Sequence, residues 1–233
     1  VKSVPGGLTV TVPVENATPG TVAVLVHEDG ARETIRKSIA GDGKLNIPLD
    51  GSATVEIVDN SKGFSDVSPT DWLADAVAFV SAREMFNGTG ETTFSPEQSM
   101  SRAMAATVLY NLEGHPEQSG VGGFSDISGD SWYADSVAWA TENGITTGYS
   151  EDQFGPNDSV TREQFAVMLW RYAGRPTTGN QTLNFTDADQ ASGYALEALS
   201  WATANGILNG YGDGRLDPGG LATRAEAAQM LKN

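Results

Sequence analysis

Thr161-Arg162-Glu163-Gln164-Phe165-Ala166-Val167-Met168-Leu169 is the stretch that decides the fold, because it returns as Ser101-Arg102-Ala103-Met104 and again as Thr223-Arg224-Ala225-Glu226. Three copies predict three structural units. Each copy opens on a hydroxyl residue suited to cap a helix. Apolar residues follow at helical spacing: Ala105, Val108, Leu109 and Leu112; Phe165, Met168, Leu169 and Tyr172; Ala227, Met230 and Leu231. Gln164 and Glu226 stand three residues after the cap, where side chain and cap can satisfy each other's backbone N–H in a capping box. Met104 carries no such group, so the first copy is predicted to lack the box. The Arg at the first helical position runs against the helix dipole, at about 0.3–1 kcal/mol. Two readings account for it and both stay open here. Either each Arg pairs with an Asp of its own repeat, or it joins free N–H groups of the helix start in holding a carboxylate or phosphate.

Composition narrows the partners. A chain of 233 residues with 39% hydrophobic content can enclose a core of one large domain or two small ones. The formal net charge of −16 argues against nucleic acid and anionic membranes as bulk partners, so an anionic ligand has to be held locally. The absence of Cys excludes thiol chemistry, disulfides and thiolate metal sites, and fits a protein working outside a bacterial cell. No apolar run approaches the ~18–20 residues that span a bilayer. No basic-then-apolar leader opens the chain, and a start at Val1 points to a piece of something longer.

Residues 1–62 read as β. The segments Leu8–Val12, Thr21–Val26, Glu33–Lys37, Lys44–Ile47 and Ala53–Val58 alternate or are β-branched, and Pro19-Gly20, Glu28-Asp29-Gly30, Gly41-Asp42-Gly43 and Asp50-Gly51 punctuate them. A small antiparallel sandwich or sheet is expected, of a size that is marginal for a free-standing domain. His27 reads as a turn-flanking residue.

From Phe64 onward a repeat takes over. Phe64-Ser65-Asp66, Phe124-Ser125-Asp126 and Phe185-Thr186-Asp187 open units at about 64–113, 124–173 and 185–232. Trp72, Trp132 and Tyr194 then align, as do Phe79, Trp139 and Trp201. In the first unit Trp72, Ala76, Phe79 and Val80 share one helical face, which predicts a buried stripe. The helix stops at Asn143-Gly144 and Asn205-Gly206, with Glu84 in the first unit. Glycine loops follow around Gly88, Gly148 and Gly210, then Phe94-Ser95-Pro96, Phe154-Gly155-Pro156 and Leu216-Asp217-Pro218 lead into the Arg helices. Linkers at Gly114–Gly120 and Gly174–Gly179 separate the units, and two-helix units of this size are expected to share a core.

The ordered set of Phe-x-Asp, an aromatic eight residues on, Gly-Ile, Gly-Tyr, Phe-x-Pro and Thr-Arg-Glu resembles three consecutive S-layer homology motifs, over roughly seventy per cent of the chain. For residues 63–233 the resemblance implies an all-α, pseudo-threefold helical domain, which with the small antiparallel β-domain read from the strand pattern of residues 1–62 makes an α+β protein. It also implies a monomeric pseudo-trimer that is extracellular and not an enzyme. Such a domain anchors proteins to the secondary cell-wall polysaccharide of bacteria, often pyruvylated, without membrane insertion. Carried over residue by residue, the ligand-binding set is Arg102, Arg162 and Arg224, the aromatics Trp72, Trp132 and Tyr194, and the glycines Gly88, Gly148 and Gly210. The second repeat has the fullest set of motifs, so Arg162 is expected to matter more than Arg102. No catalytic residue, metal or cofactor is implied.

Other chemistries fit less well. Counted from Asn209 as the first position of a calcium loop, Tyr211 at the third and Gly220 at the twelfth stand where oxygen ligands are needed. Asp75, Asp135 and Glu197 recur at one helix position in every unit, as a solvated face would, rather than as a pair across a cleft. His27 and His115 support neither a triad nor a metal cluster. The competing class is a protein-interaction or self-assembly module of the surface layer that uses the same fold without touching glycan.

Overall fold

The computed structural model describes residues 7–118, 123–179 and 182–233, so Ser119 and Gly120 of the first linker lie outside the described residues. Six strands precede six helices: β1 Leu8–Pro13, β2 Thr21–Val26, β3 Arg32–Ile35, β4 Ile39–Gly41, β5 Lys44–Leu49, β6 Thr54–Asp59, then α1 Ala74–Ala82, α2 Arg102–Leu112, α3 Ala134–Glu142, α4 Arg162–Tyr172, α5 Leu196–Ala204 and α6 Arg224–Lys232. The fold is α+β with three helical repeats. Two compact units result, one ending at Ser95 and including Asn111–Gly114, the other made of Pro96–Tyr110 and the chain from His115 onward. The expected division at residues 62 and 63 follows the repeats, whereas packing carries α1 together with the strands.

In the first unit two antiparallel three-stranded sheets form, ordered β1-β5-β4 and β3-β2-β6. Strand β4 escapes a sequence reading because three residues are too few to show alternation. It is tied to β5 by a tight turn in which Asp42 and Gly43 both take positive φ, 52° and 70°. Ala23, Leu45 and Ile47 make a core with Val12, Ile35 and Val55. The side chains on the other face of β2, Val22 and Val24, pack on Ala82 of α1. An uninterrupted Thr-Val-Ala-Val-Leu-Val run is what a strand covered on both faces requires. Arg83, at the end of α1 and 1% exposed, closes this junction. Its guanidinium donates to the carbonyls of Ser38, Thr21, Pro19 and Phe79 and lies 3.8 Å from the Phe79 ring, while burial lowers its pKa to about 10. Glu84 holds φ 57°, the left-handed position that Gly144 and Gly206 fill in the other repeats. Its carboxylate accepts from Thr34 Oγ1 and Arg36 Nη2, both at 2.8 Å, which offsets a conformation unfavourable to a side chain.

In the second unit the Arg helices start as the motif predicts. Thr161 and Thr223 accept from the N–H of Gln164 and Glu226, whose side chains return to the cap N–H, so both boxes are complete. Ser101 accepts from Met104 N at 3.2 Å without a return bond. Thr161→Ala and Thr223→Ala should therefore each cost about 1 kcal/mol, with a smaller loss for Ser101→Ala; equal losses in thermal melts of all three would contradict the box. Ahead of these helices three backbone bonds run in a cycle: Met100 N–H to Ala222 O at 2.8 Å, Ala222 N–H to Val160 O at 3.0 Å, and Val160 N–H back to Met100 O at 2.9 Å.

Candidate functional site: the Arg102 groove

The helix starts do not offer free N–H groups. Arg102 N and Ala103 N donate to the carbonyls of Asp158 and Pro156, Arg162 N and Glu163 N to Gly220 and Pro218, and Arg224 N and Ala225 N to Gln98 and Pro96. The third N–H goes to the cap hydroxyl. The expectation that these amides cradle an anion is corrected by this pairing: each Arg stands at a join between repeats, where the next repeat's carbonyls use the amides. What remains for a ligand is the side chain.

The Phe-x-Asp motif shapes the loops beside the Arg. Asp66 accepts from Phe94 N and Ser95 N, Asp126 from Phe154 N and Gly155 N, and Asp187 from Leu216 N and Asp217 N, all at 2.7–2.9 Å. Burial pushes the Asp126 carboxyl up, but the Phe154 and Gly155 amides outweigh it and hold it below its ordinary value; the Leu216 amide does the same for Asp187. The glycine loops close on the Phe of the same motif. A Cβ on Gly148 would overlap Phe124 Cε1 and the carbonyls of Ser150 and Gln153, and Gly88 and Gly210 meet Phe64 and Phe185 in the same way. Their glycine identity is thus explained by close packing.

Arg102 and Arg162 project from equivalent positions into different surroundings. Arg102 Nε donates to Phe154 O at 2.8 Å and Nη2 to Thr147 O at 2.6 Å, and its guanidinium stacks 4.4 Å from the Tyr149 ring. Arg162 repeats this with Leu216 O, Asn209 O and Tyr211. The difference lies at Nη1. In Arg162 it donates to Glu226 Oε1 at 2.8 Å, and the same oxygen accepts from Tyr211 Oη at 2.7 Å. In Arg102 it meets no hydrogen-bond acceptor among the described residues, because the box residue there is the neutral Gln164. Asp158 is near enough to act on Arg102 through space but forms no ion pair with it.

The free edge of Arg102 faces a cavity of about 210 Å³, lined also by Thr147, Gly148, Tyr149, Gln164, Arg171 and Tyr194. No Asp or Glu among the described residues lines it. Arg171, from the last turn of α4, makes a 3.4 Å bond to Ile145 O and no ion pair among the described residues. Tyr194 sits in a short 3₁₀ turn, Gly193–Ala195, just before α5, with its hydroxyl directed to Glu163 Oε1 at 3.2 Å. Of the expected ligand set the structure therefore brings Arg102, Gly148 and Tyr194 together. Trp72 and Trp132 precede α1 and α3 and are 63% and 65% exposed, so Trp72 does not belong to the buried stripe, which is Ala76, Val77 and Val80. Trp132 packs edge-on against Tyr133 at 5.1 Å. Arg224 is buried. Arg171 was not among the expected ligands, although its spacing after Gln164, Val167 and Met168 puts it on the same helical face.

The profile of the S-layer homology domain matches residues 63–106, 123–166 and 184–228, more than half of the chain. The chain belongs to the S-layer homology family. Among its relatives, the surface-layer 125 kDa protein of Lysinibacillus sphaericus is 34% identical over 69% of this chain and 14% of its own length. Exoglucanase XynX of Acetivibrio thermocellus is 28% identical over 75% of this chain and 16% of its own, and the endoglucanase of Bacillus sp. strain KSM-635 is 29% identical over 80% and 20%. The chain spans a fifth or less of the length of these relatives. The S-layer homology repeats place it at the cell surface and bacterial cell wall. Among the described residues no helix is long and apolar enough to cross a membrane.

Proposed function

We propose that the chain anchors a larger protein to the bacterial cell wall by holding a carboxylate of the wall polysaccharide, such as a pyruvyl ketal, in the groove between Arg102 and Arg171. The observation that carries this is one of charge. In a chain of net charge −16, two guanidinium groups line one cavity with no carboxylate among the described residues of its wall. A carboxylate entering there meets the Nη1 edge of Arg102, whose Nε and Nη2 are held in place by the carbonyls of Phe154 and Thr147. Tyr149 and Tyr194 give flanking surfaces on which a sugar ring can rest. The groove differs from the expected ranking, since Arg102 and not Arg162 keeps a donor for the ligand. The closed cycle of Met100, Ala222 and Val160 supports a pseudo-threefold domain in which one chain supplies all three repeats. The stretch shared by enzymes and a surface-layer protein alike reads as an anchoring rather than a catalytic part. Trp72, Trp132, Arg224, Gly88 and Gly210 remain further candidates for glycan contact, and Arg162 would join them only where Glu226 did not occupy its Nη1.

Calorimetric titration of a methyl glycoside bearing a 4,6-linked pyruvate ketal, and of the same glycoside without the ketal, tests the reading. Binding should require the ketal. Arg171→Ala, which removes only a long backbone bond, should weaken it about tenfold or more, the scale of one charge-assisted contact, with an unchanged circular dichroism spectrum. A surface-layer interaction module predicts instead that the chain still sediments with sacculi stripped of wall polysaccharide.

A further inference from the structure

We propose that the residue three positions after the helix cap is an internal counter-ion that sets whether a groove accepts an anion: Gln164 leaves the Arg102 groove open, and Glu226 fills the Arg162 position from within. The proposal rests on the carboxylate-binding reading above and sharpens it to one side chain per groove. Both residues do the same structural work, since each closes a capping box on its own Thr. A carboxylate has two acceptor oxygens, and Glu226 divides them. Oε2 accepts from Thr223 N at 2.9 Å, while Oε1 takes Arg162 Nη1 and Tyr211 Oη. An amide has only one acceptor. Gln164 Oε1 is used by Thr161 N at 3.0 Å, so the other end of its amide is a donor, which no guanidinium can bond to. The remaining parts match: two backbone carbonyls hold each Arg, and a tyrosine ring lies 4.4 Å from Arg102 and 4.7 Å from Arg162. At Nη1 itself the two sites differ by one carboxylate oxygen, present at Arg162 and absent at Arg102. An oxygen anion from outside would occupy at Arg102 the place that Glu226 Oε1 occupies at Arg162. Glu226 thus serves as an intramolecular picture of how the ligand carboxylate sits, accepting from a guanidinium Nη1.

Three single substitutions test this with the ketal glycoside as ligand. Gln164→Glu keeps a capping box of the kind that Thr223 already has, and should weaken ketal binding by about tenfold or more, because the new carboxylate occupies Arg102 and repels the ligand. Gln164→Met, the residue of the first repeat, gives up the box but stays neutral, and should retain most of the affinity. Glu226→Gln should add one binding site over wild type, and that site should vanish again in Glu226→Gln combined with Arg162→Lys. Unaltered affinity in Gln164→Glu, an equal loss in Gln164→Met, or no added site in Glu226→Gln would each overturn the counter-ion role. A wild type indifferent to the ketal overturns the carboxylate reading itself, before any variant is compared.

Discussion

Arg162→Ala will destabilise the chain by about 3–5 kcal/mol, the cost of removing one partner from a buried ion pair. Arg162 is 3% exposed, and the side chain of Glu226 is 15% exposed. Without the guanidinium, Glu226 keeps a desolvated charge, and the carbonyls of Leu216 and Asn209 lose their donors. Tyr211, whose hydroxyl pKa burial and the bond to Glu226 raise to about 12, loses the cation above its ring. At about 2–4 °C per kcal/mol for a chain of this size, the melting temperature should fall by roughly 6–20 °C. Arg162→Met together with Glu226→Gln should recover part of the loss, because it removes the uncompensated charge. A melt within a degree or two of wild type for Arg162→Ala would mean that the pair is as weak as an exposed one.

Arg83→Ala should cost a comparable amount, about 3–5 kcal/mol, by a different route. Among the described residues no carboxylate pairs with this buried cation. Four backbone carbonyls do, from Pro19, Thr21, Ser38 and Phe79, at 2.8–3.2 Å. Alanine leaves those oxygens without donors and a cavity under Phe79. Arg83→Met refills much of the volume but supplies no donor, so it should remain well below wild type in urea unfolding. If Arg83→Met matches wild type, packing rather than hydrogen bonding holds the junction. Amide exchange should also quicken along β2 in Arg83→Ala, since Thr21 and its neighbours are the strand residues that the guanidinium fastens.

The repeated Thr-Arg turn made the three Arg helices and two capping boxes legible in the sequence, because a cap needs only local spacing. The Phe-x-Asp motif was visible as a pattern but its work was not: Asp126 bonds Phe154 N and Gly155 N across nearly thirty residues, a distance that no local rule spans. The fate of the helix amides was likewise hidden. Whether Arg102 N is free depends on the carbonyl of Asp158 in the next repeat. The aromatics divided for a simple reason. Trp139 lies within α3 and is buried, whereas Trp72 and Trp132 fall before the first helical turn, where a periodicity argument does not yet apply. Arg171 was legible by spacing, and its position in an otherwise apolar and aromatic turn concealed it.

The cycle through Met100, Val160 and Ala222 has a consequence for copy number. In an open stack of repeats, the first and last members carry unsatisfied ends and need special caps, and a further copy can be added without disturbing the others. Here every repeat both gives and receives one backbone bond of the cycle, and the first gives to the last through Met100 N–H and Ala222 O. Nothing is left over to receive a fourth copy, and removing any one copy strands a donor on one side and an acceptor on the other. A lineage that duplicates or deletes a single repeat therefore loses the closure at once, so gain and loss of this module should proceed in whole triplets.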